Sequence, residues 1–538
     1  MKVFEIKNFS KGYDDSISAE YAPPESSQDS LFIDYSRVPG ALSRAYADQG
    51  SLSGLDRDEN ANGNWSQLIP FNTVYLIYEG RLDTGAVGGN WTNKRIMVGG
   101  GKVWQYCPGD QVIPLGQETA VFGKDDYPDA VHYIDNFYIS GGYNYAIRKW
   151  NGLNFELDVI ASLDGAAAGN NRYRCKYLEV FHDRLWMGNT YESSDAGVTW
   201  TAIPHRLRFS HLANASVWNI EDLASTDANW IDIQDKDGDE VVRIKTFGDE
   251  LIVFKRNSIH KIVDVGGELL FQNVTIDSLS IGNAGFTVAR IPEGLLFLNN
   301  EGLQLTDGQK TTPLASADKI DGLISRCLYA DISRAYACAD ETKKEYHIIL
   351  PVDSTSVDSY NSYMLTWNWK YDTWTVRNNG VINPTTNTYA TTVIGSFTDE
   401  RNVSTFGTRK VIIARDGGFI SELGASFSMP QGIEEAYHKT PWIDFGTPGD
   451  YKEVLAIQPR WSGDAAGTLT ISYMVDDDTT WTDLTTDAFD VTDTIEQPYL
   501  TMRATGKKFR FRFLTPAYNT TDFTVYSMKV FYNERSLR

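Results

Sequence analysis

The chain carries few of the features by which chemistry is usually written into a sequence. Its four cysteines, Cys107, Cys175, Cys327 and Cys338, stand far apart without a C-x-x-C pair. That spacing argues against a zinc site or a redox motif and, in a chain of 538 residues, against a disulfide framework. Seven histidines, His132, His182, His205, His211, His260, His347 and His438, form no H-x-H or H-x-x-x-H pair. There is no Gly-x-Ser-x-Gly elbow and no phosphate-cradling loop, so serine-based hydrolysis and nucleotide hydrolysis lack support. Positive charge is scarce: 49 Lys and Arg face 71 Asp and Glu, a net charge of −22. A conventional nucleic-acid-binding surface needs a cationic footprint, which this balance opposes. A surface that a polyanion must pass without sticking is a different case, because carboxylates would serve it. The N-terminal MKVFEIKNFSKGYDD has no apolar leader core, and no window approaches 18 uninterrupted apolar residues. The expectation is a soluble protein with no classical export signal, no membrane insertion and no cofactor.

What the chain has is aromatic residues (13%) and 44 glycines, a pairing that favours β-structure: rings pack on pleated faces and glycine serves the turns. Residues 1–70 are rich in Ser, Asp, Gly and Pro with apolar islands such as LFIDY (31–35), and read as an extended N-terminal arm with brief strands, a disordered tail being the alternative. From Thr73 a rhythm of strand, tight turn and strand begins. It is seen in TVYLIYEGRL (73–82) with KRIMVGGGKVWQY (94–106), in DAVHYIDNFYISGGYNYAIRKWNG (129–152), and in VFHDRLWMGN (180–189). It continues in VRIKTFGDELIVFKRNSIHKIV (242–263), EGLLFLNNEGLQLTDGQ (293–309), SYMLTWNWKYDTWTV (362–376) and RKVIIARDGGFISELG (409–424). Units recurring at roughly 40–55 residues indicate an irregular β-propeller of about 6–8 blades over 71–425. One blade cannot bury both faces alone, whereas a ring of blades buries each against a neighbour. A β-sandwich or β-helix remains an alternative. Within 312–335 the spacing of Ile320, Leu323, Ile324 and Leu328 predicts an inserted helix. Residues 426–538 alternate over longer strands and predict a C-terminal β-sandwich domain, so the fold class is mainly β.

Three groups of residues merit weighing. Ser193, Asp195, Gly197, Thr199 and Trp200 fit the Asp-box pattern S-x-D-x-G-x-T-W. In it Asp195 accepts backbone N–H groups, Gly197 takes a positive φ and Trp200 fills the space between strands. A weaker echo is DDDTTW at 476–481. Asp235, Asp237 and Asp239 in DKDGDE resemble part of a calcium loop, but Gly238 precedes the third acid and no glutamate stands at the twelfth position. An acidic turn is the plainer reading. In KKFRFRF, Phe509, Phe511 and Phe513 share one strand face and Lys508, Arg510 and Arg512 the other. The second face is either solvated or a contact for an acidic partner. No segment identifies a catalytic residue.

The order of these segments resembles the tail hub or nozzle proteins of short-tailed bacteriophages, of the tail-tube or packaged-DNA stabilisation type. The carriers are VFHDRLWMGN followed by PHRLRFSHLANASVWN, then GDEVVRIKTFGDELIVFKRNSIHKI, the entry segment VPGALSRAYA, and the C-terminal YSMKVFYNE. The resemblance implies a structural, non-enzymatic component of a virion tail, assembled in the host cytoplasm. It implies a ring, expected to be hexameric, that meets portal, adaptor and fibre or needle proteins. Such a ring continues the channel for double-stranded DNA, retains the packaged genome and supports its ejection. Asp boxes are also carried by sialidases. The alternative reading is therefore a carbohydrate-binding or glycan-cleaving propeller, tailspike- or sialidase-like, whose chemistry would need an arginine cluster, a tyrosine nucleophile and an acid/base carboxylate.

Overall fold

The computed structural model describes residues 1–45, 47–49, 58–59, 65–66, 74–83, 91–99, 102–107, 111–115, 128–156, 171–218, 228–234, 238–266, 270–327, 332, 335–351, 362–378, 393–398, 409–415, 419–426, 435–463, 468–488, 495, 497–515 and 522–535. The protein is mainly β. Among the described residues, no helix is long and apolar enough to cross a membrane.

Seven four-stranded antiparallel sheets follow one another along the middle of the chain. Their first strands are Val74–Asp83, Asp129–Tyr133, Arg172–Phe181, Val241–Phe247, Ala284–Ile291, Tyr336–Asp340 and Val393–Thr398. Two of the hairpins are set by two-residue turns. Ile134 and Asp135 have φ of 41° and 53°, and His182 and Asp183 have 46° and 51°. Two successive positive φ values make the two-residue turn whose twist matches that of the flanking strands. The first strands neighbour one another in chain order, and Val393–Thr398 comes back beside Val74–Asp83. The seventh sheet takes its fourth strand from the other end of the chain, Ala47–Gln49 pairing with Phe419–Ser426. Adjacent sheets approach closely: a Cβ on Gly285 would stand 1.9 Å from the Val242 carbonyl oxygen.

Side chains of the first strands reach past their neighbours. Arg243, on the fourth sheet, ion-pairs with Asp129 of the second at 3.0 Å and lies 5.5 Å from the Phe286 ring of the fifth. Tyr177 of the third sheet meets Phe286 at 6.2 Å, and Phe286 meets Tyr336 of the sixth at 5.0 Å. Contacts that skip a sheet require these strands to converge. Asp129 also accepts the Leu178 N–H at 3.0 Å, and Lys245 donates to Glu179 at 2.9 Å.

Two further sheets share the C-terminal region with the arm. In one, Leu500–Gly506, Tyr451–Gly463, Phe523–Arg535, Leu42–Arg44 and Ile33–Asp34 lie in that order, with Lys2–Ile6 also on Phe523–Arg535. In the other the order is Asp29–Leu31, Ala436–Lys439, Phe509–Thr515, Thr468–Val475 and Thr482–Ala488. Phe509, Phe511 and Phe513 are fully buried, packed in one core with Ile457, Trp461, Ile471 and Val530. Each such ring contributes about 1.5–3 kcal/mol of burial. The arm is thus built into three sheets through main-chain pairing, which also covers their edges.

The helical stretch is shorter than its apolar spacing suggested. It is a 3-10 segment, Ala315–Ile320, and one α turn, Asp321–Ile324; 328–331, 333 and 334 lie outside the described residues. These turns suffice to place Ile320, Leu323 and Ile324 in the core that includes Tyr13 and Trp374. Outside groups complete the hydrogen bonds: Asp15 of the arm accepts the Gly322 N–H at 3.0 Å, and the Trp374 indole donates to the Ser316 carbonyl at 2.8 Å.

Candidate functional site

The strand Phe509–Thr515 is preceded by a tight turn at 506–508, and this turn forms one wall of a cleft of about 670 Å³. Such a size is usual for ligand pockets. Gly506 is required there, since a Cβ would fall 2.1 Å from the Val475 side chain. Asp476, at φ 50°, locks the turn by accepting the N–H groups of Lys507 (2.6 Å) and Lys508 (3.0 Å). The DDDTTW echo therefore does not close on itself as an Asp box. Its first acid holds a neighbouring turn instead.

The opposite wall is the loop 442–451. Asp444 accepts the Gly446 N–H at 2.9 Å, which sets its sharp bend. Lys452, fully buried, donates to the Thr447 carbonyl and, at 3.2 Å, to the Lys507 carbonyl, so one ammonium ties loop to turn. Burial pushes its pKa down. The third wall comes from the arm, where the Trp442 N–H donates to the Ala19 carbonyl at 2.8 Å. This contact places Tyr21, 81% exposed, at the rim.

The cleft is thus aromatic at Tyr21, Trp442 and Tyr451, and polar at Glu20, Asp444, Asp476, Asp477, Lys507 and Lys508. Lys508 lies 2.9 Å from Glu20 and 3.7 Å from Asp477, with its ammonium 5.0 Å from the Trp442 ring. The hydrogen bond to Glu20 leads the interactions that raise its pKa. Lys507 rests on the Tyr451 ring at 5.2 Å.

Of the cationic stripe only Lys508 reaches this cleft. Arg510 donates to the Thr440 carbonyl at 2.7 Å, and Arg512 donates to Ser472 at 3.1 Å, lying 3.7 Å from Asp483 and 4.9 Å from the Trp481 ring. All three charges are engaged within the chain.

The Asp box stands on the third sheet. Asp195 accepts from Val198 N–H (3.1 Å), Thr199 N–H (2.7 Å) and the Ser193 hydroxyl (2.7 Å), and Gly197 has φ 90°. These bonds, led by those from Thr199, hold the Asp195 carboxyl down to about 2. The Trp200 indole donates to the Gly197 carbonyl at 2.8 Å; its ring stacks on Tyr191 at 5.2 Å and lies 4.0 Å from the Arg174 guanidinium. Tyr191 in turn stacks on Tyr143 at 4.8 Å. The ring faces here are taken up by one another, which makes the group a strut of the sheet.

Of the acidic triplet, Asp235 and Asp237 lie outside the described residues. Asp239 is buried and accepts the N–H groups of Asn257 and Glu240, both at 3.0 Å, so its oxygens hold a hairpin. Among the described residues no three His, Cys, Asp or Glu groups are placed to hold a metal.

No family model matches the chain, and no curated protein matches its sequence. Among solved structures it is similar to an exo-β-1,3-galactanase from Phanerochaete chrysosporium with galactose (TM-score 0.25, 9% identity, 90% of this chain and 100% of that one). It is also similar to a glycoside hydrolase family 43 arabinoxylan arabinofuranohydrolase from Bacillus subtilis (TM-score 0.22, 11% identity, 76% and 95%). A third is the enzymatically active domain of bacteriophage CBA120 tailspike protein 4 (TM-score 0.13, 12% identity, 27% and 18%). Two expectations are corrected on this finding. The structural tail-hub role and the absence of enzymatic activity are both given up, because the structures named are glycan-cleaving enzymes and a tailspike domain. At these scores no residue role passes from them to this chain.

Proposed function

We propose that the seven sheets form a β-propeller closed by Ala47–Gln49, that the two C-terminal sheets form a β-sandwich, and that the protein engages glycans in the cleft between arm, loop and turn. The propeller reading is supported by the order of the first strands, which returns to its start. The glycan reading rests on one observation: an exposed tyrosine, a half-buried tryptophan and a tyrosine share a cleft with four carboxylates. A sugar offers both an apolar C–H face and hydroxyl donors. Aromatic faces take the first and carboxylates, which only accept, take the second.

Cleavage would need two carboxyl groups on either side of one glycosidic bond. Asp444, Asp476 and Asp477 are the cleft's aspartates from which such a pair would be drawn. A place in a virion tail is carried into the proposal from the sequence resemblance alone, and is tested by finding the chain in purified particles.

Binding is tested on a glycan array and by titration calorimetry, with reducing-end release followed in the same samples. The Tyr21→Ala variant is expected to lose about tenfold in affinity, roughly 1.4 kcal/mol, at an unchanged melting temperature, since the side chain is exposed. An array without signal would sink the reading, as would glycan binding indifferent to Tyr21.

A further inference from the structure

The charges around the cleft are unequal. Glu20, Asp444, Asp476 and Asp477 line it with Lys507 and Lys508, and the buried Lys452 behind the wall acts on Asp444 and Asp476, which leaves Asp477 as the exposed carboxylate of the rim within a chain of net charge −22. The Lys508 ammonium is not a ready anion receptor. Lys508 is held 2.9 Å from Glu20 and 3.7 Å from Asp477, and its pKa is raised by them, so its positive charge is already compensated. Lys507 lies over the Tyr451 ring at 5.2 Å, a single cation beside the carboxylates of the rim. Asp477, by contrast, has a side chain 97% exposed. It can take a pair of hydroxyl protons from a vicinal diol, but it can only repel a carboxylate or a sulfate.

From this, and resting on the glycan reading of the same cleft, we infer that its ligand class is the uncharged hexose oligosaccharide, and that glycans bearing uronate, sialate or sulfate groups are excluded. A pyranose with its C–H face on Tyr21 directs its hydroxyls to the carboxylate rim, where an acidic substituent would meet like charge. The discrimination is electrostatic and therefore falls with salt, because exposed charges beyond about 10 Å are screened at 0.1 M.

The full chain is titrated with a panel of neutral hexose oligosaccharides and with the same backbones carrying uronate or sulfate groups, at ~20 mM and ~500 mM salt. A proline-rich peptide is included, as aromatic grooves also take such segments. The expected result is a neutral ligand whose acidic counterpart binds at least ~tenfold more weakly at low salt, with the gap narrowing at high salt. The Asp477→Asn variant, which keeps an acceptor oxygen and removes the charge, is expected to narrow the ratio of neutral to acidic affinity at low salt whatever it does to neutral affinity itself, and a ratio unchanged from the parent would overturn the inference. An acidic member binding as well as its neutral parent overturns the inference and leaves glycan binding standing. If no sugar binds, or only the peptide does, the inference falls together with the reading beneath it.

Discussion

Replacing Asp129 by alanine is expected to cost about 3–5 kcal/mol of stability, more than any substitution on the protein's surface. The carboxylate is almost wholly buried and stands 3.0 Å from Arg243, whose side chain is only 14% exposed. Burial works to lower the Arg243 pKa, yet Asp129 and then Glu179 hold it above the ordinary value, so the guanidinium stays charged. Without Asp129 that charge is left beside Phe286 and Tyr177 with Glu179 as the other anion acting on it, and the Leu178 N–H loses its acceptor. The control is the double variant Asp129→Ala/Arg243→Met. Removing both charges of a buried pair is close to neutral, so most of the loss should return, short of about 1 kcal/mol for the Leu178 hydrogen bond. Urea unfolding followed by tryptophan fluorescence measures both. A single variant within 1 kcal/mol of the parent, or a double variant no better than the single, would show that the convergence of the first strands does not depend on this pair.

Much of the fold was legible because its signals are local. Alternation puts Phe509, Phe511 and Phe513 on one face whatever the neighbours are, and their complete burial follows from it. The Asp box was readable for the same reason, since Asp195 bonds only to residues within four positions of itself. Period and turn chemistry announced repeated small sheets, and the structure has seven among the described residues. The cleft was not legible. Glu20 and Lys508 meet across 488 positions, and Tyr21, Trp442 and Asp477 come from three separate segments, each unremarkable alone. The arm shows the same limit. Its apolar islands suggested brief strands in an extended arm, but not their partners, and main-chain pairing with Phe523–Arg535, Ala436–Lys439 and Phe419–Ser426 places it in three sheets. The helix over 312–335 was overestimated because apolar spacing reports which side chains need burial, not how many turns deliver it.

Acidification should loosen the junction between the arm and the C-terminal sheets, with His438 as the largest single contributor. The imidazole is completely buried in Ala436–Lys439, the strand between Asp29–Leu31 of the arm and Phe509–Thr515. It packs edge-on to Phe9 at 5.2 Å and lies 6.2 Å from Phe513. Its Nδ1 is 3.0 Å from the Tyr35 hydroxyl, while Nε2 has no partner. Burial first, and the charge of Arg510 second, push its pKa down from the ordinary value to about 3. The other charges nearby are Lys439 on the same strand and Asp29, to which it is paired. The folded protein thus binds this proton less readily than the unfolded chain does. The contribution to stability is complete above about pH 6.5. It falls by about 1.4 kcal/mol per pH unit below that, and the loss levels off near pH 3 at about 5 kcal/mol. Between pH 7.5 and 4.5 the expected loss is about 3 kcal/mol. In His438→Phe the buried volume is kept and no proton is taken up, so the same pH change should cost less by that amount. Every other ionisable group is common to both proteins and cancels in the difference. Equal pH slopes in the two urea titrations would refute the assignment. If it holds, Tyr21 should be affected as well, because it belongs to the arm segment whose strand Asp29–Leu31 lies against His438, and glycan affinity should fall on acidification in the parent more steeply than in the variant.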